Sequence, residues 1–170
     1  MNKALKQGET VAASAVVRAD PQRAYDVISD VRRIPEWSPE CIRVERLDDV
    51  RFRGHNRRRS GRWTTTARIV AADPGREFGF VVGLVGRDFT RWTYRLEPHP
   101  DGCQVIEEIE MCMDLPFLAL LFERVALRVK DRRTDLKGNL DSSLRRLRTI
   151  IEAEHDTGSG TDSPAPRETE

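Results

Sequence analysis

Residues 41–113 alternate apolar with polar positions, whereas residues 117–152 repeat their apolar positions every three or four. The first pattern belongs to half-buried strands, the second to a helix with one buried stripe. "CIRVERL" (41–47) reads as a strand, "RFRGHNRRRSG" (51–61) as a polar strand running into a turn, and "RWTTTARIVAA" (62–72) as a third. "DPG" at 73–75 and "HPDG" at 99–102 are turn signals, and they bound "REFGFVVG", "DFTRWTYRLE" and "CQVIEEIEMCM". Six consecutive strands with tight turns predict an antiparallel meander. Ahead of them, "ETVAASAVVRA" (9–19) predicts one more strand. Asp20 then caps, and Pro21 opens, a short helix with Tyr25 and Ile28 on one face; Pro35 and Pro39 leave room for only one more short helical turn before the meander.

In the last third, Leu118, Leu121, Phe122, Val125 and Val129 keep helical spacing, as do Leu136, Leu140, Leu144, Leu147 and Ile151. One unbroken helix over 117–152 would exceed ~50 Å, so a break is expected near 130–134. The expected organisation is an N-terminal arm (1–8), a single domain (9–153) and a disordered tail (154–170) whose "DTGSGTDSPAPRETE" cannot form a core. Strand, two short helices, six strands and a long helix make an α+β fold. One helix covers one face of a seven-stranded sheet, and a sheet that curls around it encloses either a core or a pocket.

Strand parity assigns the inward side chains. Trp63, Thr65, Ala67 and Ile69 face in, as do Phe78, Phe80 and Val82, then Thr90, Trp92, Tyr94 and Leu96. On the last strand Val105, Ile109 and Met111 carry Glu107 inward with them, and on 51–58 the inward set is Phe52, Gly54, Asn56 and Arg58. A carboxylate among aromatic rings costs several kcal/mol unless paired or wetted. Arg58 is the candidate partner; the readings are a structural ion pair, a Glu at the sheet margin that reaches solvent, or a polar anchor for a ligand's head group. Strand patterning alone favours a packed core over a pocket wall for these aromatics; the polar tips of Trp63, Trp92 and Tyr94, which need partners when buried, tilt this slightly toward a wetted cavity.

Net charge is +1, from 29 Lys and Arg against 28 Asp and Glu, so no global field favours nucleic acid or membrane. Cys41, Cys103 and Cys112 are odd in number and lack CxxC spacing, which predicts reduced thiols. No signal peptide or ~20-residue apolar span is visible, and a cytoplasmic protein is expected.

"VVRADPQRAYDVISDVRRIPEWSPE" resembles the opening of the SRPBCC superfamily, in particular its bacterial polyketide cyclase/dehydrase and lipid-transport group, through Ala19-Asp20-Pro21, Tyr25, Asp30 and Trp37-Ser38-Pro39. "RWTTTARIVAADPGREFGFVV", "TRWTYRLEP" with "GCQVIEEIE", and "LDSSLRRLRTIIE" are similar to the same group, so the resemblance spans roughly 9–153. It implies a helix-grip fold, shared with START lipid-transfer domains and the major birch pollen allergen. There a curved seven-stranded antiparallel sheet wraps a long C-terminal helix around a cavity. The basic run "HNRRRSGR" and the apolar segment 116–126 depart from that pattern.

The expected function is binding of a hydrophobic small molecule, lipid or polyketide-like. Candidate ligand-binding residues are Trp63, Thr65, Ile69, Phe78, Phe80, Trp92, Tyr94, Glu107, Met111, Leu118, Leu121, Phe122, Leu136 and Leu140. Segment 116–126 is placed over one end of the cavity, with a surface-lying amphipathic helix bearing Arg124, Arg128 and Lys130, or a homodimer contact, as rivals. An enzyme of cyclase, aromatase or dehydratase type would use Glu107, Tyr94 and Arg58 for acid/base chemistry. His55, His99 and His155 are scattered, so no metal or other cofactor is expected, and "GLVGRD" lacks the lysine of a phosphate loop. Arg57, Arg58, Arg59 and Arg62 read as a solvated strand end; RNA or ribosome contact, which the superfamily's ribosome-associated toxins imply, is the remaining alternative.

Overall fold

The computed structural model describes residues 5–114 and 131–159. Strand β1 (Thr10–Val17) is followed by helix α1 (Pro21–Ser29), a 3-10 turn (Val31–Arg33) and the four-residue helix α2 (Ile34–Trp37). Local chemistry explains each boundary. The Asp20 carboxylate accepts from the Arg23 backbone N–H at 3.0 Å, with Pro21 in the first turn where its missing N–H costs nothing. Asp30 repeats the device for the 3-10 turn. After α2, the Ser38 hydroxyl accepts from the Cys41 N–H at 3.0 Å and turns the chain into the sheet.

Strands β2 (Cys41–Arg46), β3 (Arg51–Arg58), β4 (Gly61–Asp73), β5 (Glu77–Leu84), β6 (Arg87–His99) and β7 (Gly102–Met111) form the meander, and helix α3 (Arg132–Ser159) completes the chain. The sheet order is β1-β7-β6-β5-β4-β3-β2, antiparallel throughout. The seven-stranded helix-grip arrangement expected from the sequence is therefore the observed one. Alternation holds along β7, where Cys103, Val105, Glu107, Ile109 and Met111 are all buried. The helix stripe holds too, since Leu136, Leu140, Leu144, Leu147 and Ile151 are buried between α3 and the sheet.

Helix α3 runs on to Ser159, past the expected start of the tail at 154. The reason lies in α1 and the turn after it. Arg33 forms an ion pair with Glu154, and Arg23 donates to the Glu154 carbonyl at 3.3 Å, which fastens the last turns of the helix. The expected break near 130–134 falls partly outside the described residues; α3 itself begins at Arg132.

The β6–β7 turn is tucked under the end of β1. Gly102 has φ +133, and a Cβ there would stand 2.3 Å from the Val17 carbonyl oxygen and 2.9 Å from the Ala19 nitrogen. These are rigid backbone atoms. Gly102→Ala is expected to lose on the order of 3 kcal/mol from overpacking and strain together, read as a lowered urea midpoint. A midpoint equal to wild type would show that the turn moves freely from β1.

Candidate functional site

Between the sheet and the first half of α3 lies a cavity of about 330 Å³. Its apolar wall includes Phe52, Trp63, Phe80, Phe89, Trp92 and Ile109, with Leu136 facing them from the helix. Phe80 and Trp92 stack at 6.1 Å with an interplanar angle of 10°, and Phe52 meets Phe80 edge-on at 5.2 Å. Arg132, Leu136, Asn139 and Ser143 line it along one stripe of α3, a run of about 16 Å at 1.5 Å per residue. In the neighbouring core Phe78 packs edge-on against Tyr25 at 6.4 Å, and neither lines the cavity.

Deep in this space stands Glu107, 1% exposed. Its neighbours come from three elements. Tyr94 on β6, directly opposite it in the sheet, donates its hydroxyl to Glu107 Oε1 at 2.8 Å. Ser143 on α3 donates to the same oxygen at 3.2 Å. Trp37 on α2 lines the same wall, and its Nε1 has no hydrogen-bond partner, nor does Glu107 Oε2. Burial pushes the Glu107 carboxyl up from 4.5 to about 7, against the two hydroxyl donors that favour its charged form. Burial, and next the adjacent Glu107 charge, hold the Tyr94 phenol well above its ordinary 10. A carboxyl that changes protonation near neutrality, in an apolar cavity, can give or take a proton from a bound molecule.

Residues 17–135 match the family model described as polyketide cyclase/dehydrase and lipid transport. The chain belongs to that family. Among solved structures it resembles the Zhui aromatase/cyclase from a Streptomyces species, with a TM-score of 0.66 and 14% identity over 90% of this chain and 99% of that one. It also resembles the di-domain aromatase/cyclase StfQ of steffimycin biosynthesis, with a TM-score of 0.64 and 18% identity over 86% of this chain and 51% of that one. A polyketide-cyclase-like protein from Corynebacterium glutamicum aligns with a TM-score of 0.58 and 24% identity over 92% and 99%. At such identities these structures speak for the fold alone. Comparison with curated protein sequences returns no match.

Within this family member, the residues singled out from the sequence divide by position. Trp63, Thr65, Phe80, Trp92, Tyr94, Glu107 and Leu136 line the cavity. Phe78, Ile69 and Met111 are outside its lining because they sit further along their strands in packed surroundings, and Leu140, although flanked by Asn139 and Ser143, is fully buried in the core and does not line it. Leu118, Leu121 and Phe122 lie outside the described residues, as does the whole placement of 116–126. Arg58 is the clear correction. It does point inward, but it pairs with Asp135 on α3 and with Glu40 at 3.0 Å, not with Glu107. Asp135 holds the guanidinium charged, with Glu40 adding to it. Register explains the difference: β3 ends at Arg58 beside Gly61, far along the sheet from the Tyr94–Glu107 pair.

Sequence reading missed Trp37, Thr90 as a cavity residue, and Ser143. Arg57, Arg59 and Arg62 are exposed while Trp63 turns into the cavity, so the basic run does not present an aromatic for stacking. No metal-holding group of three or more His, Cys, Asp and Glu occurs among the described residues. No helix among them is long and apolar enough to cross a membrane.

The raised Glu107 pKa fixes a sign for stability. Below pH 4.5 both folded and unfolded chains hold the proton; between 4.5 and about 7 only the folded chain retains it. Stability therefore falls as pH rises through that window, by on the order of 3 kcal/mol in total. Glu107→Gln keeps the shape without the titration. Its stability relative to wild type is expected to climb from pH 4.5 to about 7 and then level off, followed by urea unfolding at each pH. Parallel profiles for the two proteins would contradict the assignment.

Proposed function

We propose that the chain binds a hydrophobic small molecule, lipid or polyketide-like, in the cavity between the sheet and α3. The observation that supports this most is a space of about 330 Å³ walled by aromatic rings, with one deep polar cluster, beside a cluster of packed apolar side chains. Ligand sites of this size combine apolar walls with a few placed polar groups. Membership in a family described by cyclase, dehydrase and lipid-transport activities agrees with it.

A second reading, an enzyme of cyclase or dehydratase type, is favoured by Glu107 specifically. With its proton, Glu107 acts as an acid toward a carbonyl oxygen or a departing hydroxyl; without it, as a base toward a carbon beside a carbonyl. Tyr94 and Ser143 hold Oε1, which leaves Oε2 to make the exchange. Arg58 is committed to Asp135 and Glu40, so it serves in this reading to position α3. RNA or ribosome contact gains no support from the described geometry, since Arg58 and Trp63 both turn inward.

Fluorescence titration with prodan, an uncharged naphthalene dye, tests the binding reading. Saturable one-to-one binding is expected in wild type. Thr65→Trp, which fills the cavity from β4, should weaken it by roughly tenfold or more at unchanged far-UV circular dichroism. Absence of saturable binding by prodan and by a panel of uncharged bicyclic probes would refute it. For the enzyme reading, Glu107→Gln should abolish turnover of a polyketone substrate while the protein keeps its far-UV circular dichroism and still binds prodan saturably; undiminished turnover would remove Glu107 from the chemistry.

A further inference from the structure

Trp37 Nε1 and Glu107 Oε2 both lie on the cavity wall, buried and without a hydrogen-bond partner. Both side chains are 1% exposed. Both also border the Tyr94 hydroxyl: Glu107 accepts from it, and the Trp37 N–H lies close enough to favour the phenolate. Buried polar atoms are almost always satisfied, so an orphaned donor beside an orphaned acceptor marks the place of a third group.

Resting on the reading that the cavity holds a ligand, we propose that these two atoms receive a single uncharged oxygen function of that ligand. A hydroxyl satisfies both at once, its oxygen accepting from the indole N–H and its hydrogen donated to Oε2. A carbonyl satisfies both when Oε2 carries the Glu107 proton, since each group then donates. A carboxylate is disfavoured in both states: opposite an ionised Glu107 the two charges repel, and opposite a protonated one its own charge is buried with no cation beside it. The remaining ionisable groups of the lining do not relieve this. Glu40 is held by Arg58 and Asn139, Cys41 is kept as a thiol by burial, and Arg132 stands about 16 Å along α3 from Ser143. The ligand class is thus an apolar, ring-sized molecule with a hydroxyl or ketone at its inner end, in preference to a fatty acid or other carboxylate.

Calorimetric titration at about pH 8, above the Glu107 transition, compares naphthol, methylnaphthalene and naphthoate substituted at the same ring position. Naphthol should bind roughly tenfold or more tightly than either of the others, as expected where a built site rejects a partner lacking the matching group. Trp37→Phe should bring naphthol down toward methylnaphthalene without changing the latter. Glu107→Gln should strengthen naphthoate binding by about fivefold or more. Equal affinities of naphthol and methylnaphthalene in wild type, or naphthoate binding as tightly as naphthol, would overturn the head-group assignment and leave the cavity reading standing. If none of the three binds and prodan does not bind, both fall together. Should Trp37→Phe fail to fold, the wild-type ratio of naphthol to methylnaphthalene decides alone.

Discussion

A single helix must cover one face of a seven-stranded sheet, and the widths do not match. Six inter-strand spacings of ~4.8 Å make a surface about 29 Å across, against a helix about 10–12 Å in diameter. The sheet answers by curling, helped by register shifts in β2–β3, β4–β5 and β5–β6 that bend individual strands. Short helices α1 and α2 close the flank that α3 leaves open, with Ile28, Val31 and Trp37 fully buried there. Around the second half of α3, Leu144, Leu147 and Ile151 complete a dry core. Around the first half the surfaces stay apart, and polar Asn139 and Ser143 take positions that a packed core would give to leucine.

The same mismatch determines how two ionic groups are treated. Arg58 sits where helix, sheet and the residues before β2 converge, 22% exposed in its side chain, and it meets two carboxylates. Its charge is compensated, and it ties α3 to β3 and to the residues before β2 by polar bonds that add to the helix's apolar seam. Glu107 is deeper and meets only hydroxyls on one oxygen. Retaining its charge there is costly, which is why its proton stays on until near neutrality. Through Oε1, Glu107 still links β7 to β6 and α3, while Oε2 meets no protein group.

Much of this was legible in the chain. Period two placed Phe80, Trp92, Tyr94 and Glu107 on the concave face, because parity survives any uncertainty about where strands begin. Asp20-Pro21 located α1, since cap chemistry is local. What parity cannot supply is position along the strand axis or across the sheet, and the Arg58–Glu107 pairing failed because β3 and β7 have three strands between them and Arg58 lies at the end of its strand. Phe78 and Met111 share the inward face with the cavity residues yet pack elsewhere along their strands. Ser143 was hidden because it interrupts a leucine stripe as an ordinary polar helix residue, and only the fold brings it against β7. A lone serine among buried helix positions, facing a lone inward glutamate, was the signal available.

Two non-glycine residues, Arg59 and Val85, hold left-handed backbone at the β3–β4 and β5–β6 turns, with φ of 51 and 50. For a branched side chain that conformation is unfavourable, and Val85 recovers nothing by packing because it is 86% exposed. The loop would be sturdier with asparagine or glycine there, by about 1 kcal/mol. Thermal robustness can therefore be engineered into this scaffold at an exposed turn whose Val85 is itself no part of the cavity wall, although Leu84 beside it is.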